Sequence, residues 1–263
     1  MSPARTTVPR RPPLLLLPPS KGKAEGGNGP AYATTLAAGD HPLAAPRQQV
    51  LTALLAAAPA LADGPLARLA GVRARDVDLA RELLTSLPDA PTLPARRRYT
   101  GVVHGNAGLA ELTPDTARAE VLIVSPLLGL AGLDEPVPHY RLELGASVPG
   151  LGGLATFWRD RLATHLAGVT AGRRVWDLLP GEHARVWPPA SRGDAAVVAA
   201  RFVRPDGRAA NAARTKVAKG RLAAYLLAHP DAEPATGDAA EVLGAGWELD
   251  RAGGALVATW TGA

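Results

Sequence analysis

Apolar positions along this chain come in two patterns, short unbroken blocks and longer stretches that repeat with helical spacing. The block Leu14–Leu17, closed by Pro18 and Pro19, reads as a strand covered on both faces, and residues 121–124 read the same way. Residues 96–103, 174–179 and 197–203 predict three further strands. A final pair, residues 247–250 and 255–260, is separated by Ala252-Gly253-Gly254 and predicts a closing hairpin. Helical spacing marks residues 46–58, 63–71, 76–87, 154–166 and 211–229, and Thr113-Pro114-Asp115 starts a shorter helix. In the helix over 154–166, Phe157, Trp158, Leu162 and Leu166 fall on the inward face. Strands and helices are interspersed, and no repeat is present. The expectation is a loose tail over 1–12 and one mixed α and β domain over 13–263, an α+β chain with a central sheet.

The segment 211–229 combines this periodicity with charge. Ala, Leu, Lys and Arg dominate it, and Pro230 stops it. At about 100° per residue, Lys216, Lys219, Gly220 and Ala223 share one face, while Ala218, Leu222, Tyr225 and Leu226 form an apolar flank. Two ammonium groups beside two nearly bare positions leave room for a bulky anion, and the helix start adds free N–H groups. The same face also suits an ordinary solvated side of a helix.

Composition adds weight to the lysines. Only four of the 29 basic residues are lysine: Lys21, Lys23, Lys216 and Lys219. A compact ammonium on a flexible stem suits a phosphate as a point charge. Lys21 and Lys23 follow the first strand directly, in Ser20-Lys21-Gly22-Lys23, and the glycine-rich Gly26-Gly27-Asn28-Gly29 comes next. A strand emptying into such a loop is a common anion site in α/β proteins; a plain flexible turn is the other reading. Neither a Walker A sequence nor a dinucleotide fingerprint is present. A net charge of +5 and a pI near 10.0 favour an acidic partner. Residues 63–71 and 76–87, joined at Gly71-Val72-Arg73, resemble a helix-hairpin-helix, whose turn amides hold a phosphate; Asp76 and Asp78 would repel one, and two helices joined by a glycine turn are more often plain packing.

Other chemistry is not nominated. The chain has no cysteine, and its six histidines lack paired metal-ligand spacing, so no metal and no cofactor is expected. Asp177 ends a predicted strand, where acids serve in catalysis but more often cap turns. No apolar run is long enough for a membrane span, so a cytoplasmic protein without membrane partners is the default expectation. Oligomeric state stays open.

The blocks around these residues form a larger pattern. Leu14-Leu15-Leu16-Leu17-Pro18-Pro19-Ser20-Lys21-Gly22-Lys23, Tyr99-Thr100-Gly101-Val102 and Ser125-Pro126-Leu127-Leu128-Gly129-Leu130 appear in that order. Pro138-His139-Tyr140-Arg141-Leu142, Phe157-Trp158, Val175-Trp176-Asp177-Leu178, Ala184-Arg185-Val186-Trp187 and the lysine segment 216–221 follow. In order and spacing, the chain resembles the YaaA family of peroxide stress proteins. It departs from that pattern at Lys21, where relatives often have Glu, at Thr215, where many have Asn, and at Leu128, where Trp is common. The resemblance implies a cytoplasmic protein that limits iron-dependent oxidative damage under peroxide stress. It also implies a distinct α/β fold with a helix-hairpin-helix and a basic cleft for duplex DNA. By position, that cleft would be lined by Ser20, Lys23, Tyr140, Arg141, Lys216, Lys219 and Arg221, with Lys21 adding charge. The leading expectation is therefore largely sequence-independent binding of double-stranded DNA. The alternative is an enzyme acting on a phosphorylated small molecule or a nucleic-acid end.

Overall fold

The computed structural model describes residues 11–38, 41–112, 119–234 and 236–262. Most of the expected tail and the short helix starting at Thr113 lie outside the described residues. From the N-terminus come β1 (Leu14–Leu17), α1 (Tyr32–Ala37), α2 (Ala44–Ala57), α3 (Asp63–Ala70), α4 (Val77–Thr85), β2 (Thr92–Pro94), α5 (Ala95–Arg98) and α6 (Val102–Asn106). There follow β3 (Glu120–Ser125), β4 (Gly129–Gly132), β5 (Pro136–Pro138), β6 (Ser147–Val148), β7 (Gly152–Gly153), α7 (Leu154–Thr170), β8 (Arg174–Asp177) and α8 (Gly181–Ala184). The last part carries β9 (Ala196–Val203), α9 (Ala212–Ala228), α10 (Ala239–Leu243), β10 (Trp247–Ala252) and β11 (Ala255–Trp260).

Seven strands form one mixed sheet in the order β10-β11-β9-β8-β1-β3-β4. The five inner strands are parallel, and an antiparallel partner closes each side. All four leucines of β1 are fully buried, which is why that strand alternates nowhere. The expected hairpin of β10 and β11 forms, with Trp247 opposite Trp260. In α7 the four predicted inward residues are buried, and the Trp158 indole donates to Pro126 O at 2.8 Å. No helix among the described residues is long and apolar enough to cross a membrane.

Three expectations are corrected by tertiary contacts. Residues 96–103 are not a strand but the end of α5, a bend and the start of α6. The buried Arg98 explains this, because its guanidinium reaches the carbonyls of Val137, Ala24, Gly26 and Pro91, and an extended course would pull it away. One of those bonds holds the glycine-rich segment at Gly26 O, and Gly27 and Gly29 are packed on Thr92. Residues 26–29 lie outside the cavity that the four lysines line. At Gly71, φ is 66°, a left-handed helix cap, and the amides of Gly71 and Val72 both donate to Ala67 O. The turn amides that a helix-hairpin-helix would offer to phosphate are thus spent within α3, and the Glu143 side chain lies against Gly71. Arg73 follows in extended conformation, outside the turn.

The helix α9 runs as predicted and is capped by Asn211, whose side chain accepts from the amides of Ala213 at 2.9 Å and Arg214 at 3.3 Å. The expected free N–H groups are therefore partly used. Gly220 and Ala223 do not make room for a ligand either. Both are buried, and Gly220 lets α6 approach α9: a Cβ there would fall 2.5 Å from Asn106 Cβ and 2.6 Å from Val103 O.

Gly220→Ala should therefore lower unfolding stability by about 1–3 kcal/mol through overpacking. Gly168→Ala in α7, where nothing lies within 4 Å of the added carbon, should raise it by about 0.5–1 kcal/mol through helix propensity. Urea titrations of the two variants measure both; a stabilised Gly220→Ala would refute the packing account.

Candidate functional site

The parallel strands β1, β3, β8 and β9 share one carboxyl edge. Leaving β1 the chain crosses to β3 on one side, and leaving β8 it passes to β9 on the other. The crevice between the ends of β1 and β8 is the switch point at which open α/β sheets bind ligands. A cavity of about 580 Å³ opens there. Pro18, Pro126, Pro180 and Phe202, from the ends of those four strands, give it an apolar floor.

All four lysines of the chain line this cavity, two from the loop after β1 and two from α9. Ala212, Thr215, Lys216 and Lys219 are the α9 positions that face it. The helix α6 sets the distance between the two segments. Gly220 seats it on α9, and its His104 imidazole bonds Pro18 O at 2.9 Å. A carbonyl only accepts, so His104 Nε2 carries the proton. Gly101, just before α6, is required by Ser20, whose hydroxyl would lie 2.0 Å from any added Cβ.

The four lysines differ in their surroundings. Lys21 is 74% exposed at the rim and pairs with Glu143. Lys216 is exposed on the opposite rim. Lys23 turns inward, donates to Ser20 O at 2.7 Å and sits 4.1 Å above the Tyr140 ring. Beneath it, Tyr140 OH is bonded to Tyr99 OH at 3.0 Å and Ser125 Oγ at 2.9 Å, a buried hydroxyl chain that fixes the ring. Burial lowers the Lys23 ammonium to about 7, and the nearby Arg141 charge adds to that. Lys219 is the most enclosed, only 6% exposed. Its Nζ lies 5.7 Å from the Phe202 ring centre, and burial lowers its pKa to about 8 against a partial offset from Asp177.

Other predicted residues divide. Ser20, Tyr140 and Arg141 line the cavity, and Arg141 donates to Lys21 O, bracing the loop. Arg221 does not line it; its guanidinium lies against Gly244 on another face of α9. Of the hairpin residues only Gly71 reaches the wall, and there it supports Glu143. Asp177 caps the turn after β8, accepting from Leu179 N and from Arg192 at 3.0 Å each. Burial raises the pKa of Asp177.

Two histidines that spacing alone left as isolated residues also line the cavity. His104 and His183 are both lowered to about 4, chiefly by burial, and so are neutral near pH 7. Nδ1 of each has no hydrogen-bond partner among the described residues. The signal for His183 was its position in the first turn beyond a strand that parallel neighbours flank. For His104 the sequence offers no local signal, because residues 96–103 before it read as a strand.

A family model described as peroxide stress protein YaaA matches residues 14–247. A UPF0246 protein of Streptomyces coelicolor is 32% identical over 246 residues, covering 88% of this chain and 88% of its own length. A UPF0246 protein of Corynebacterium efficiens is 31% identical over 243 residues, covering 90% and 94%. One from Corynebacterium glutamicum is 30% identical over 220 residues, covering 81% and 84%.

The two inward lysines make stability depend on pH. Their folded values lie below 10.5, so between about 7 and 10.5 the unfolded chain binds more protons than the folded one. Their cost is full below about pH 7 and fades as pH rises towards 10.5. Lys219→Met should therefore be more stable than the parent at pH about 7, with the difference shrinking towards pH about 10. Urea midpoints of both proteins across that range test the sign; a difference independent of pH would contradict it.

Proposed function

The chain belongs to the peroxide stress protein YaaA family, and from that footing we propose that it binds duplex DNA along the rim of the lysine-lined cavity. The observation that carries this reading is the gathering of every lysine of the chain at one site. Lys21, Arg141 and Lys216 meet backbone phosphates at the surface, while Lys23 and Lys219 stand behind them for a phosphate that reaches inside. A net charge of +5 speeds the encounter and orients it. Contacts of this kind fix position without reading bases, so affinity is largely independent of sequence. In the cytoplasm under peroxide stress, phosphates neutralised by lysine and arginine release their counterions. Ferrous ions held on the backbone leave with them, which moves peroxide-driven radical formation away from the DNA.

A second reading has its own observation. The cavity falls within the roughly 300–1,000 Å³ of small-molecule sites. A deep, apolar hollow with inward ammonium groups suits one phosphorylated small molecule, or the terminal unit of a nucleic acid, as substrate.

Fluorescence anisotropy with a labelled duplex at several salt concentrations tests the first reading. With roughly four phosphates neutralised, log affinity should fall against log salt with a slope of about −3 to −4. A Lys21→Ala/Lys216→Ala double variant should bind about tenfold or more weakly with a shallower slope. A slope near zero, or unchanged affinity in the double variant, would rule it out.

A further inference from the structure

We propose that Lys219 is an imine-forming amine, and that the cavity takes a small aldehyde or ketone that also carries a phosphate. The inference rests on the small-molecule reading of the cavity and not on duplex binding.

Each of the other three lysines has an occupation or a solvated place. Lys21 is paired with Glu143, Lys23 is bonded to Ser20 O and seated on Tyr140, and Lys216 is in solvent at the rim. Lys219 is different. Its side chain is more than nine-tenths buried, lines the cavity, and makes no hydrogen bond or ion pair among the described residues. Asp177, the carboxylate whose charge acts on it, is already committed to Arg192 and Leu179 N. An enclosed lysine that makes no hydrogen bond or ion pair, with only the Phe202 ring 5.7 Å away, is costly as an ammonium and is kept more readily as an amine. With its pKa lowered to about 8, about a tenth of it carries a free lone pair at pH 7. An amine that is nucleophilic at neutral pH and faces a cavity is suited to a carbonyl carbon. Lys216, one turn away, and Lys23 across the hollow supply the charge that a phosphate on the same molecule needs.

The chemistry balances without an oxidant or a metal. The Lys219 Nζ lone pair forms a bond to the carbonyl carbon, and the C=O π pair moves to oxygen. That oxygen takes the proton released by nitrogen, giving the carbinolamine. A second proton, the one that Lys219 released to solvent on becoming an amine, lets the hydroxyl leave as water while the nitrogen lone pair closes the C=N bond. The products are one protonated imine and one water. His183, neutral and on the cavity wall, bears one N–H and one free ring nitrogen and can pass a proton between these atoms.

Pyridoxal 5′-phosphate is the probe, since it joins an aldehyde and a phosphate on one small rigid ring and its imines absorb visibly. Incubation followed by borohydride reduction should fix one adduct per chain, and peptide mapping should place it on Lys219. The map is simple because lysine occurs at only four positions besides the terminal amine. Lys219→Met and Lys219→Arg should lose the adduct while keeping the parent's circular dichroism and cooperative melting; the arginine variant keeps the charge but not the nucleophile. Pyridoxal without its phosphate should label about tenfold less or weaker, for want of the lysine charges. An adduct on Lys21, Lys216 or the terminal amine with Lys219 unmodified, or equal labelling of Lys219→Met, overturns the proposal. Protection against heat by the probe without any reducible adduct overturns the covalent step and leaves phosphate binding standing.

Discussion

The site depends on the close approach of α6 to α9. Gly220 removes the side chain that would hold the helices apart, and the gap is then filled by Val103 O and Asn106. On its far side α6 holds Pro18 O through His104. One five-residue helix thereby sets the separation of two lysine-bearing segments that lie far apart in the chain. Close-packed interiors deform little, so the width of the hollow is a property of that contact and not of the loop that carries Lys21 and Lys23. The loop is itself pinned, by the bridge between Lys23 and Tyr99 and by the Thr100 amide bonded to Gly22 O.

Arginine and lysine divide the work of being basic. Arg47, Arg98 and Arg173 are buried, and each directs its planar fork at backbone carbonyls: Leu128 and Leu130 for the first, Val137, Ala24, Gly26 and Pro91 for the second, Pro12 and Val169 for the third. Several donors in fixed directions can tie irregular chain segments together, whereas a lysine offers a single charged tip. These three arginines therefore act as internal staples between segments, while the lysines gather at the cavity. A charge count over the whole sequence mixes these two populations and overstates the free positive surface.

Much of the frame was legible before any coordinates. Unbroken apolar blocks such as Leu14–Leu17 announce inner parallel strands because both faces of the sheet are covered, and the Gly253-Gly254 turn announces the terminal hairpin. The scarcity of lysine pointed to the residues that gather at one cavity. What was hidden depended on distant partners. Arg96–Arg98 looks like the polar lead into a strand, and only the carbonyls it meets from three other segments make it a short helix and a bend. Gly220 and Ala223 look like space left for a ligand until α6 is seen to occupy it. Arg221 belongs with the neighbouring lysines in the sequence, yet the helical turn carries it to Gly244. The blocks that carried the family resemblance have a shared physical basis. Ser20 needs Gly101, Tyr99 and Ser125 hold Tyr140, and Trp158 holds Pro126.

The Arg47 fork has a consequence for how copies of this chain can associate. By taking the carbonyls of Leu128 and Leu130 it covers the outer margin of β4, and at the opposite margin β10 presents Glu248, Asp250 and Arg251. A strand from a second molecule would have to displace a guanidinium at one border or face a row of charges at the other. Strand addition is therefore disfavoured at both borders of the seven-stranded sheet.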